Sequence, residues 1–189
     1  MTFTDCVFSN ASGHGLAVIE SGEAVAGRCR FFENGWNGAA VIGKGAKLEL
    51  RDCEVISNFE HGIESWEGAS LTAIGSRSEG NSRNGIHCDN READVVIENN
   101  KLIGNREFGL VLGSATGGHV SNNTARSNLL GGFVIRSAAS AVKVTGNQLT
   151  LNEGPGLVLE KGLSPAAFTS NTVTKNKPKD ILENADLSP

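Results

Sequence analysis

The sequence predicts an all-β fold, a single-stranded right-handed parallel β-helix (a solenoid) of about eight coils, on three observations. An asparagine recurs at Asn10, Asn34, Asn58, Asn81, Asn105, Asn128, Asn152 and Asn176, in steps of 24, 24, 23, 24, 23, 24 and 24 residues. A glycine follows four or five places after each of the first seven, at Gly15, Gly38, Gly62, Gly85, Gly109, Gly132 and Gly156. A third column keeps step through Cys6, Cys29, Cys53, Ser76, Asn100, Asn123, Asn147 and Asn171. The period holds over 1–176, which is the β-helix, and leaves 177–189 as a C-terminal tail or cap.

Each coil then divides into three strands. The first alternates ahead of the third column, as in Leu48/Leu50, Leu71/Ala73, Val95/Ile97 and Val142/Val144. The second is short and carries Phe8, Phe31, Val55, Leu102, Leu149 and Val173. The third follows the glycine, with apolar residues one and three places on: Leu16/Val18, Ile86/Cys88, Leu110/Leu112 and Phe133/Ile135. Period two marks a strand with one buried face, and no stretch has a helical period. The asparagines are expected to stack at about 4.8 Å, each amide satisfying the next, because an unpaired polar group facing inward is costly. Asparagine also tolerates the left-handed turn conformation, and the glycine beyond is expected to supply the same freedom.

The ends depart from the pattern. Thr2-Phe3-Thr4 reads at once as a strand, with no capping helix before it. That start is expected of an excised domain, or of a first coil that associates end to end with a partner. Lys177-Pro178-Lys179 breaks the repeat, and Asp180-Ile181-Leu182 is expected to fold over the last coil.

Composition narrows the function. The chain has 189 residues, a net charge of −4, 24 Gly and no Tyr. A net negative charge argues against nucleic acid as a partner. No apolar run reaches the ~18 residues of a membrane span, so membrane insertion is not expected. A tyrosine acid or base is ruled out. The four cysteines form no CxxC pair and no metal-ligand spacing, and read as reduced packing residues that favour a cytoplasmic location. Neither a metal nor a cofactor is expected. The stretch Gly38 to Gly45 approaches a phosphate-binding loop, but Gly45 stands where Ser or Thr is required and the interior is a strand.

Chemistry on a solenoid sits on outward positions. Two places after each glycine stand Ala17, Ala40, Glu64, His87, Val111, Val134 and Val158; four places after stand Ile19, Ile42, Trp66, Asp89, Gly113, Arg136 and Glu160. Glu64 and Trp66 are therefore expected beside His87 and Asp89 of the next coil, within about 5 Å by 7 Å of sheet. His61 in the preceding turn and Arg136 two coils on are expected to contribute. Trp66 suits the face of a sugar ring, and charged neighbours suit hydroxyls or a uronate. The flanking outer positions are apolar and mark a covered surface or a partner site.

The repeat of Asn, three or four residues, Gly, and alternating apolar residues, as in Asn105-Arg106-Glu107-Phe108-Gly109-Leu110-Val111-Leu112, resembles the right-handed β-helix repeat superfamily. That group includes pectate lyases, alginate epimerases, the periplasmic copper-site accessory proteins of nitrous oxide reductase, and β-helix domains of F-box and signalling proteins. The resemblance implies the fold and a bias toward sugars; no catalytic motif of the family maps onto these residues. The leading expectation is a non-catalytic recognition or interaction module of a larger protein, its ligand-binding residues being Glu64, Trp66, His87, Asp89 and His61. Its partner on the outer face is a polysaccharide or a protein. The alternative is a uronan lyase, epimerase or hydrolase with catalytic candidates Glu64, His87, Asp89 and Arg136, the arginine holding the uronate. Coils of 23 or 24 residues leave no room for the loops that wall a catalytic cleft. A structural spacer without ligand is the third reading.

Overall fold

A computed structural model describes residues 1–187. They wind into a parallel β-helix of about eight turns. The first sheet has seven strands, from Thr2–Thr4 to Lys143–Thr145, and the second eight, from Val7–Ser9 to Thr172–Thr174. The third has eight, from Leu16–Ile19 through Leu157–Glu160 to Ile181–Ala185. Two 3-10 turns, Ser137–Ala139 and Pro165–Phe168, are the helical segments among the described residues.

The interior is filled by stacked like residues. Phe31 pairs with Phe8 on one side and Val55 on the other, and the two phenylalanine rings stack with centroids 4.8 Å apart. In the third sheet Ile63, Ile86, Leu110, Phe133 and Leu157 form one buried row. The alternation in the sequence is thus the alternation of inner and outer faces.

Asparagines line the turn between the second and third sheets. From Asn34 to Asn152, each side-chain amide donates to the Oδ1 of the next asparagine at 2.8–3.0 Å. The same oxygen accepts the backbone N–H of the preceding asparagine. The ladder ends at Asn176, where Asp180 Oδ1 takes both the backbone and the amide N–H. A second ladder joins Asn100, Asn123, Asn147 and Asn171 in the third column.

Three expectations are corrected. Asn10 is not a rung: Ala11 holds that place and donates its N–H to Asn34 Oδ1, so the first step is 23 residues rather than 24. The left-handed conformation falls one residue before each rung, at Asn10, Glu33, Ser57, Gly80, Gly104, Ser127, Leu151 and Lys175. The repeating glycines have no positive φ; they are needed because the next coil lies against them. A Cβ on Gly85 would stand 2.6 Å from the Gly109 carbonyl oxygen and 2.8 Å from Asn105 Nδ2. Along the outward apolar strip Ala40, Val134 and Val158 are buried, Ile42 and Val111 are half-buried, and Ala17 and Ile19 are exposed. Short side chains stacked at one coil's rise shield one another.

The segment after the cis Lys177–Pro178 bond adds Ile181–Ala185 to the third sheet, parallel to Leu157–Glu160, and Ile181 packs against the core at the last coil. Cys29, Cys53 and Cys88 are buried, and no cysteine is in a disulfide. The Cys29 and Cys53 thiols donate to backbone carbonyls. Burial pushes the Cys53 thiol up to about 11 and raises that of Cys88. Thiols held protonated are poor nucleophiles, so their reduced state does not identify a compartment.

Candidate functional site

The residue before each of the first four repeating glycines forms a further column: His14, Asn37, His61, Asn84. In this column the hydrogen bonds run opposite to those of the main ladder. Asn37 Oδ1 accepts the His61 backbone N–H at 2.9 Å, and His61 Nδ1 accepts the Asn84 backbone N–H at 3.2 Å. Asn84 Oδ1 then accepts the Phe108 N–H at 3.0 Å. A backbone N–H can only donate, so His61 Nδ1 holds a lone pair and Nε2 holds the proton.

Glu64 rises from the strand Ile63–Trp66 beside this column. Its Oε2 accepts the Asn37 amide. Its Oε1 lies 3.5 Å from His87 Nδ1, at the outer limit of a hydrogen bond, and 4.0 Å from His61 Nε2, beyond it. The two imidazoles stack with centroids 4.8 Å apart and planes inclined by 17°. Side-chain exposure is 5% for His61, 17% for Glu64 and 28% for His87, so the group is sunk into the sheet.

Burial, and then the charge of His87, push the His61 imidazole down to about 3, against the attraction of Glu64. It is neutral at pH 7, in agreement with the hydrogen bond that Nδ1 accepts. Burial acts to raise the Glu64 carboxyl. The close approach of His87 Nδ1, the attraction of the two imidazoles and the Asn37 amide outweigh it and hold the group below its usual range. Glu64 is therefore an ionised carboxylate beside a neutral N–H donor.

Above this floor lies a groove of about 390 Å³ with Trp36 and Trp66 in its lining. The two indoles are 56% and 47% exposed, and His14 packs edge-on against Trp36. Arg83 lies on the rim and is spent on Glu60 at 3.2 Å and Glu107 at 3.4 Å. The register places His87 against Glu64 and Asp89 against Trp66, as the spacing predicts. The expected cluster nevertheless divides. Asp89 accepts the Ser114 hydroxyl where the register slips beyond Cys88, and lies in a separate recess that Trp66 also lines. Arg136 shares a further recess with Asp89 and Ser114 and lines no part of the groove over Glu64. The alternation of His and Asn before the glycines was the signal for Asn37 and Asn84. Trp36 and Arg83 carry no such signal, because their turn column (Gly13, Trp36, Glu60, Arg83, Glu107) shares no chemistry.

Fold and site together define a β-helix module with an aromatic-walled polar groove on one outer face. The chain belongs to the family described as "Periplasmic copper-binding protein (NosD)", whose model matches residues 1–184. It is a NosD-like β-helix module, of a family described as periplasmic. No curated protein matches the chain.

That description raises the question of copper. His61, Glu64 and His87 offer ligand atoms within 4.8 Å of one another. As built, they do not fit a metal. His61 Nε2 is protonated, because Nδ1 is committed to the Asn84 N–H; a ligating histidine has the reverse arrangement, with its second nitrogen donating. An ion also lies close to the plane of each imidazole that binds it, and nearly parallel stacked rings share no such point at bonding distance. Soft ligands preferred by Cu(I) are missing from the groove: Cys88 faces the core, and the one methionine is Met1.

Proposed function

We propose that this chain is a non-catalytic recognition module that binds a glycan in the groove between Trp36 and Trp66. The observation that carries the reading is the 4.0 Å gap between His61 Nε2 and Glu64 Oε1. One side is a fixed donor and the other a fixed acceptor. A hydroxyl accepts from the first at about 2.9 Å and donates to the second at about 2.7 Å, bridging the gap with a bent geometry. Glu64 also holds the Asn37 amide, so the acceptor is kept in place. The exposed indoles offer apolar faces for the C–H face of a pyranose. Catalysis by the same group is disfavoured, since a carboxylate held below its usual range is a weak base at neutral pH.

The test uses a favourable accident of composition. The chain has two tryptophans and no tyrosine, and both tryptophans line the groove. Intrinsic fluorescence therefore reads the groove directly. Titration against a panel of soluble oligosaccharides is expected to give a saturable change that Trp66→Ala and Glu64→Ala each abolish. A saturable response that survives Glu64→Ala and His61→Phe would place binding elsewhere, and the proposal would fall.

A further inference from the structure

We infer that Glu64 makes the groove selective for neutral sugar units and excludes uronic acids, a specificity that rests on the glycan reading above. It runs against both the acidic-polysaccharide bias that the resemblance implies and the expectation that Arg136 holds a uronate.

The charges that face the groove decide the sign. Glu64 and Glu60 are its carboxylates, with Glu107 just beyond Arg83. The one guanidinium in the lining, Arg83, is engaged by Glu60 and Glu107 together. His61 is neutral, and burial lowers the His14 imidazole too, so neither ring in the lining supplies a compensating positive charge at pH 7; His87 faces Glu64 Oε1 at 3.5 Å from outside the groove lining, where it pairs with Glu64 rather than with a ligand. Arg136 is in another recess. A ligand carboxylate at the bridging position would have one useful partner, the His61 Nε2–H, and would meet Glu64 Oε1 as a like charge in a half-buried site. A hydroxyl at that position uses both groups.

The hydrogen-bond polarity also says how the preference would be inverted. In Glu64→Gln, the new amide carbonyl can keep the hydrogen bond from Asn37 Nδ2, which turns the NH₂ toward the ligand. The groove then presents two N–H donors side by side, from residue 64 and from His61, which suit a carboxylate and leave a bridging hydroxyl without its acceptor.

The experiment compares three matched pairs of trisaccharides that differ at C6: glucose and glucuronate, galactose and galacturonate, mannose and mannuronate, each β- or α-linked alike within its pair. Tryptophan fluorescence is read at pH 7 and low salt for the wild-type protein and for Glu64→Gln. In the wild-type protein the neutral member of at least one pair is expected to bind about 100-fold or more tightly than its acidic partner. Glu64→Gln is expected to weaken the neutral member about 10-fold and to bring the acidic member to equal or tighter binding. A wild-type protein that binds a uronate as tightly as its neutral partner overturns the selectivity and leaves the glycan reading standing. So does a Glu64→Gln protein, folded by its circular dichroism, with an unchanged preference. If all six sugars leave the fluorescence unchanged, the reading and the selectivity fall together. The wild-type comparison stands by itself if the variant does not fold.

Discussion

Two asparagines that the repeat presents as equivalent are expected to differ sharply when replaced by alanine. Asn105 is 1% exposed and makes four side-chain hydrogen bonds. Its Oδ1 takes the Asn81 backbone N–H at 3.1 Å and the Asn81 amide at 3.0 Å; its amide donates to the Ser78 carbonyl at 3.2 Å and to Asn128 Oδ1 at 3.0 Å. In Asn105→Ala, the Asn81 amide keeps its bonds to Val55 O and Ser78 Oγ, and Asn128 Oδ1 keeps the backbone N–H of residue 105. The Asn81 backbone N–H and the bond to the Ser78 carbonyl are lost outright. Two buried groups at about 1–3 kcal/mol each give a loss of about 4 kcal/mol. Asn10 sits outside the ladder, exposed, in the left-handed conformation. Asn10→Ala forfeits the conformational preference alone, about 1 kcal/mol. Urea unfolding followed by circular dichroism separates the two. With a slope of about 2 kcal/mol per molar, the midpoint should fall by about 2 M for Asn105→Ala and by about 0.5 M for Asn10→Ala. Equal losses, or less than about 1 kcal/mol at Asn105, would refute the assignment of rungs.

Further expectations follow from the same contacts. Gly85→Ala drives a Cβ to 2.6 Å from the Gly109 oxygen and should destabilise by about 2–3 kcal/mol in urea. Gly27→Ala meets nothing within 4 Å and should be neutral or slightly stabilising. The His61 imidazole is depressed from 6.5 to about 3, so the unfolded chain binds the proton first; stability from this group is full above pH 6.5 and is lost as pH falls from there toward 3. Glu64, also depressed, adds a loss of the same sign below its unfolded value of 4.5. Thermal melts from pH 7 to 4 should therefore show a decline that is shallower in His61→Gln, and identical profiles would contradict the buried neutral imidazole. Saturating Cu(II) or Zn(II) should leave the melting temperature unchanged. A site filled to 100 times its Kd would add about 2.7 kcal/mol, and a rise abolished by His61→Ala and His87→Ala would show that the rings rearrange to chelate.

The coil was legible in the sequence because its determinants are local and repeated. Ladder, glycine and apolar columns each recur with the period, so one misplaced rung, Asn10 for Ala11, did not disturb the fold. The strand register beside Glu64 was legible for the same reason. What was not legible depends on side-chain direction in the turns. Trp36 reaches the groove from a turn position with no period-two rule, while Asp89 turns away to the Ser114 hydroxyl where the register slips. The protonation of His61 depends on a backbone donor one coil away, at Asn84. The glycine column illustrates a right position with the wrong cause: the sequence shows that glycine is required, and only the neighbouring coil shows that the reason is contact rather than φ.

The most direct measurement is a ¹H–¹⁵N correlation spectrum of the two indole Nε1–H groups during titration with the neutral trisaccharides. Trp36 and Trp66 contribute the only two indole resonances and both line the groove. Both resonances are expected to move, along one saturation curve with one Kd, when a neutral trisaccharide binds. Backbone amides that respond to the sugar while both indole resonances stay fixed would contradict the assignment of this groove as the site.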